Sequence, residues 1–285
     1  MTIRLKKHDY ISPTAISVAY LRTFTNIPFS REIYQAMKQN LSKISLNALE
    51  LHYESRPIPF FEARYKLINY LVKQSRLKNI LDVAAGYIPR GLVLTKDPAV
   101  SCVEFDLPTV TREKRKIVNT ILKTRKERRP NLHLISGNAL DFKALNTACA
   151  RLQPGPIAIV NEGLLRYLTR SEQKKLASNI HAILVSRGGI WITTDIHLRD
   201  RLLGDKAGLR RTRYFARLTK TTIEKNLFAD KTEAKQFFTD AGFSIRQYRV
   251  TTIIPKLSCP KRLGLTKATV RASLKNRLAF VLTAK

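Results

Sequence analysis

Acidic and glycine residues follow short apolar runs at several places in this 285-residue chain. From such positions, side chains and backbone amides can hold a small polar ligand. The first is Leu81-Asp82-Val83-Ala84-Ala85-Gly86-Tyr87-Ile88-Pro89-Arg90-Gly91. A glycine-containing turn between a strand and a helix brings backbone N–H groups to a ligand without intervening side chains, and Asp82 adds an acceptor. The three-glycine dinucleotide fingerprint is absent, since only Gly86 and Gly91 are present. A purely structural turn is the alternative to a nucleoside cradle. About 20 residues on comes Val103-Glu104-Phe105-Asp106-Leu107-Pro108, where a carboxylate can accept from two ribose hydroxyls. Asp106 is preferred, with Glu104 on the same side of the strand in reserve. Capping the next helix is the alternative role for Asp106.

Three further positions extend the set. Gly137-Asn138-Ala139-Leu140-Asp141-Phe142 ends another apolar run, and an Asp followed by an apolar residue can hold a purine through its exocyclic amine and a ring nitrogen. Asn161-Glu162-Gly163-Leu164-Leu165-Arg166-Tyr167-Leu168 places Glu162 at a central strand end. Asn161 lacks the Pro-Pro that accompanies methylation of base or amide nitrogens. Upstream, Phe60, Phe61, Leu67, Ile68, Leu71 and Val72 form a helical stripe, and Arg64 falls on that same apolar face. A guanidinium there needs an anion, either an internal carboxylate or the carboxylate of a ligand. His197 is the histidine placed to act as a base, with Tyr167 as helper; a surface or capping role is the alternative for His197.

The elements that must carry these residues alternate. Strands are expected at 79–84, 100–105, 131–136, 156–161, 189–194, 243–250 and 277–283, with helices between. Thr169-Arg170-Ser171-Glu172 is a capping box, Gly188 and Gly242 are helix stops, and Asp230 and Glu233 can cap a helix. This order implies an α/β protein with a mostly parallel, doubly wound sheet covered on both faces. Residues 1–76 read as an N-terminal helical cap and 77–285 as the main domain. A basic, aromatic insertion at about 195–230 (Arg210, Arg211, Arg213, Tyr214, Phe215, Arg217) follows a strand end, where it would overhang the ligand crevice as a lid.

An apolar share of 44% supports a sizeable core. No apolar run approaches the roughly 18 residues of a membrane span. With no secretory signal in Met1 to Tyr10, a soluble cytoplasmic protein is expected. Cys102, Cys149 and Cys259 show no metal-ligand or disulfide spacing. The net charge is +31, which attracts polyanions. Nine Lys/Arg lie between Thr111 and Arg129, and ten follow Asp240 with no acid among them. Weak nonspecific nucleic-acid binding is one reading, and solvated faces of a basic protein the other, because aromatic platforms are not interleaved with the charge.

A glycine turn, a ribose acid one strand later and an adenine acid two strands later, with a central Glu and an upstream Arg, match S-adenosylmethionine. The chain resembles the leucine carboxyl methyltransferase family, in particular its bacterial polyketide-type O-methyltransferase branch, within the class I S-adenosylmethionine-dependent methyltransferases. The resemblance rests on Ile11-Ser12-Pro13-Thr14-Ala15, Phe61-Glu62-Ala63-Arg64, residues 81–91, Glu104 to Pro108 and Glu162 to Leu168. It implies a Rossmann-like seven-stranded sheet with the last strand antiparallel. It also implies Arg64 on the cofactor carboxylate, Gly86 beneath the cofactor, Asp106 on the ribose, Asn138, Ala139, Asp141 and Phe142 near adenine, and Glu162 near the methionine portion. Ala84 replaces the family's first glycine, and 137–142 match the adenine segment loosely. The implied activity is O-methylation of a small-molecule hydroxyl or carboxyl group. RNA methylation through the basic surface and non-catalytic cofactor binding are the alternatives.

Overall fold

The computed structural model describes residues 12–40, 57–203, 206–219 and 221–285. Helices α1 (Ser12–Arg22), α2 (Ser30–Asn40) and α3 (Ile58–Ser75) precede β1 (Asn79–Val83). Then follow α4 (Arg90–Leu94), β2 (Ser101–Asp106), α5 (Pro108–Thr124), β3 (Leu132–Ser136), α6 (Phe142–Cys149) and β4 (Ile157–Asn161). A 3₁₀ turn at Leu165–Tyr167 leads to α7 (Arg170–Arg187) and β5 (Gly189–Thr193). The expected lid region holds α8 (Arg199–Leu203), α9 (Lys206–Thr219) and α10 (Ile223–Asn226). The chain closes with α11 (Lys231–Asp240), β6 (Phe243–Arg249), a 3₁₀ segment at Val250–Lys256, α12 (Cys259–Arg262), α13 (Lys267–Leu274) and β7 (Leu278–Ala284).

The seven strands form one sheet in the order β3-β2-β1-β4-β5-β7-β6, parallel except for β7, which runs antiparallel to both neighbours. The doubly wound architecture and the antiparallel last strand are as the sequence implied. Strands β1 and β4 are buried at every position, as parallel central strands covered on both faces must be. Period-two alternation divides their side chains. Leu81, Val83, Val103 and Phe105 pack with α6, α7 and α11 on one face. Ile80, Cys102, Val160 and Ile192 pack on the other against Leu67, Ile68 and Leu71 of α3 and Val270 and Leu274 of α13. Helix α3 is thus a layer of the main fold, while α2 rests on α5 through Ile33, Met37, Ile117 and Ile121.

Register sets the site. Val83 pairs with Phe105 in β2 and with Asn161 in β4, so Ala84, Asp106 and Glu162 emerge side by side at the carboxyl edge. Asp106 pairs with Ser136, bringing the Gly137 turn to the same edge. The break in strand order between β1 and β4 is the switch point where such folds bind ligands.

Candidate cofactor and acceptor cavity

One cavity opens at this edge. Among the sequence candidates, its wall includes Arg64, Asp82, Gly86, Asp106, Asn138, Ala139, Glu162 and Tyr167. Gly86 sits at φ +47° and its N–H donates to Asp106 Oδ2 at 2.6 Å. Leu107 N–H donates to Oδ1 at 2.7 Å. Asp106 therefore ties the turn after β1 to the one after β2 and does not cap α5, whose N-cap is Leu107. Each oxygen keeps a lone pair for a further donor. Burial raises its pKa, although those two N–H groups oppose the shift.

Glu162 lies at the centre. Its Oε1 accepts from Arg22 Nη2 at 2.6 Å and Arg64 Nε at 2.9 Å, and its Oε2 from Arg90 Nη2 at 2.6 Å. Burial alone would raise its pKa, but Arg64, Arg22 and Arg90 reverse the effect and hold it at about 2. Arg90 also donates to Asp82 Oδ2 at 2.7 Å and Asn69 Oδ1 at 2.8 Å. Burial pushes Asp82 up to about 6, against the pull of Arg90 and with a further push from Glu104. Three buried guanidinium groups face two buried carboxylates, an excess of one positive charge. Arg22 Nε is in addition buried without a hydrogen-bond partner.

Several candidates lie elsewhere. Glu104 is engaged away from the cavity by Gly91 N–H at 2.9 Å and Lys114 Nζ at 2.9 Å. This close approach explains Gly91: an added Cβ would stand 2.7 Å from Glu104 Oε1. Asp141 caps α6, accepting from Ala144 N–H at 3.2 Å, and Phe142 is 44% exposed; neither lines the cavity. His197 is not on the wall either, and its Nε2 is buried with no hydrogen-bond partner. Burial, then Arg166, Arg277, Arg64 and Arg201, hold its pKa well below the ordinary value. It is neutral at physiological pH.

Three contributors are not among the sequence candidates. Arg22 reaches Glu162 from 140 positions away, and Arg90 carries only the signal of a helix start. Asp195, the first residue of the expected lid, is the anchor of the loop after β4. Its carboxylate accepts from Asn161 Nδ2 at 2.7 Å, Gly163 N–H at 2.5 Å and Leu164 N–H at 2.6 Å. Asn161 in turn accepts from Trp191 Nε1 at 2.7 Å. An Asp just past β5, one strand over from that loop, is the pattern that could have flagged it. Glu62 is similarly structural: it accepts from Ser258 and Cys259 N–H, each at 2.9 Å, and pairs with Lys66, fastening α3 to the start of α12.

No family model matches the sequence, and no curated protein matches it. Solved structures do. A DUF574 family protein from Streptomyces avermitilis aligns over 95% of this chain and 97% of its own, with TM-score 0.55 and 12% identity. An O-methyltransferase family protein from Burkholderia thailandensis aligns over 97% of this chain and 72% of its own, with TM-score 0.51 and 17% identity. At such identities the likeness is one of fold, and it does not single out the leucine carboxyl methyltransferase branch. The chain has the Rossmann-like fold of the methyltransferases, with its cavity at the carboxyl edge of the sheet.

Proposed function

We propose that this protein is an S-adenosylmethionine-dependent O-methyltransferase acting on a small-molecule hydroxyl or carboxyl group. The observation that carries the reading is the convergence of Arg64, Gly86, Asp106, Asn138 and Glu162 on one cavity. In this reading Asp106 accepts from the ribose hydroxyls, and Asn138, Ala139 and Leu140 form the wall beside the adenine. The surplus positive charge around Glu162 and the unpartnered Arg22 Nε suit the carboxylate of the methionine portion. When bound, the cofactor supplies a methyl group already activated on a sulfonium. The protein then contributes position, orientation and exclusion of water, worth roughly 7–11 kcal/mol when two reactants are held in line. The assignment to the leucine carboxyl methyltransferase family rests on the sequence motifs.

Tyr167 lies on the cavity wall, whereas His197 would need an intervening group to move a proton. A carboxylate acceptor needs no base. Transfer of labelled methyl from S-adenosylmethionine to aromatic acids, phenols and RNA tests the reading. Product from an acid or phenol supports the proposal. Product from RNA alone would favour the second reading, which the basic helix α5 and the acid-free C-terminal segment motivate. Binding of the cofactor without any product would leave a non-catalytic binder.

A further inference from the structure

The cavity wall also includes Val18 of α1, Phe61 of α3 and the Arg166-Tyr167-Leu168 turn after β4. Arg64 lies 4.7 Å from the Phe61 ring centroid, and Arg166 is the cation of the turn. Its Nη2 donates to Thr212 Oγ1 of α9 at 3.2 Å, and its guanidinium lies 5.8 Å from the Tyr167 ring centroid. Its Nε is buried with no hydrogen-bond partner. Among the described residues no carboxylate pairs with it, in contrast to Arg22 and Arg64, which share Glu162. The cavity's own acids are committed: Asp82 to Arg90, Glu162 to three arginines and Asp106 to two backbone amides. A half-buried guanidinium without a counterion is unfavourable, and its planar fork matches a carboxylate in two-point contact.

We propose that Arg166 reads the methyl acceptor, and that the acceptor is an organic acid whose apolar body lies against Val18, Phe61 and Tyr167 while its carboxylate pairs with Arg166. The contact with Thr212 gives Arg166 a fixed stance beneath the lid. The proposal rests on the cofactor reading for the acid's role as methyl acceptor, whereas the pairing of an acid with Arg166 stands apart from it.

The test uses the full chain saturated with S-adenosylhomocysteine and titrated calorimetrically with matched acids and amides: 2-naphthoate and 2-naphthamide, cinnamate and cinnamamide, octanoate and octanamide. The expected result is that acids bind at least about tenfold more tightly than their amides, a single charge-assisted contact's worth of discrimination. In Arg166→Gln that ratio falls below about twofold, and Arg166→Lys restores part of it. A strut that merely supports the lid would weaken acid and amide alike and leave the ratio unchanged. Equal binding of acid and amide by the unaltered protein, a ratio that survives Arg166→Gln, or no acid binding at all would overturn the proposal. Failure of S-adenosylhomocysteine to bind would instead count against the cofactor reading. The unloaded protein would then still show the acid-to-amide ratio. Its loss in Arg166→Gln would support the pairing of an acid with Arg166 while removing its role as methyl acceptor, and its survival there would overturn the pairing as well.

Discussion

Glu162 and Asp82 accept from the same guanidinium, at 2.6 and 2.7 Å, yet their pKa values are displaced in opposite directions. Glu162 is held at about 2, below the 4.5 of the free side chain, so its contribution to stability is complete above pH 4.5 and is lost as pH falls towards 2. Asp82 stands at about 6, above its ordinary 3.8, so its contribution is complete below pH 3.8 and is lost as pH rises through 6. Replacing Glu162 by Gln leaves Arg22, Arg64 and Arg90 short of one counter-charge. The expected loss is about 3–5 kcal/mol, read from urea unfolding at pH 7, together with a flatter acid limb between pH 5 and 2. Asp82→Asn should remove the decline between pH 4 and 6. Ala84 offers a gain. It occupies φ +55°, a region that disfavours any side chain with a Cβ. Ala84→Gly is expected to stabilise the protein by up to about 1 kcal/mol, since relief of strain exceeds the added freedom of the unfolded chain. An unchanged or lowered midpoint would show that the turn tolerates Ala without strain.

At the scale of elements, the loop after β4 depends on Asp195, a residue from the far side of β5. Asp195→Ala should release the amides of Gly163 and Leu164, weaken S-adenosylhomocysteine binding by at least about tenfold and cost about 2 kcal/mol in stability. Calorimetry and thermal melting measure the two effects separately. Regular elements are legible in the sequence because their signals are local. The apolar runs locate all seven strands, and the capping box Thr169…Glu172 has both halves in place. Asp230 caps α11 through the N–H groups of Thr232 and Glu233. The cavity is legible wherever a residue lies at a strand end, as Asp82, Gly86, Asp106, Asn138 and Glu162 do. It is illegible where a partner comes from another element. Arg22 acts only through a side chain that the tertiary fold brings to Glu162, and no spacing in the chain encodes that meeting; Asp195 carries only its place just past β5. Asp141 misleads for a related reason, since an Asp before a helix satisfies the cap equally well.

For the molecule as a whole, charge is the property that the cavity does not absorb. On α5, Arg112, Lys116 and Lys123 are exposed, and beyond Asp240 so are Arg246, Arg249, Lys256, Lys261, Lys267, Arg271 and Lys275. No helix among the described residues is long and apolar enough to cross a membrane. Such faces should bind RNA or duplex DNA weakly and without regard to sequence. Engagement of about five phosphates would lower the affinity roughly a hundredfold or more between 50 and 200 mM salt. Filter binding across that range measures it, and an affinity indifferent to salt would contradict an electrostatic origin.

In the proposed reading, residues from α1, α3 and four strand ends enclose one S-adenosylmethionine site. Calorimetric titration of the protein with S-adenosylhomocysteine tests that convergence. One site per chain is expected, with affinity reduced at least about tenfold in Asp106→Ala while that variant stays folded. No binding by the unaltered protein, or binding indifferent to the loss of Asp106, would contradict it.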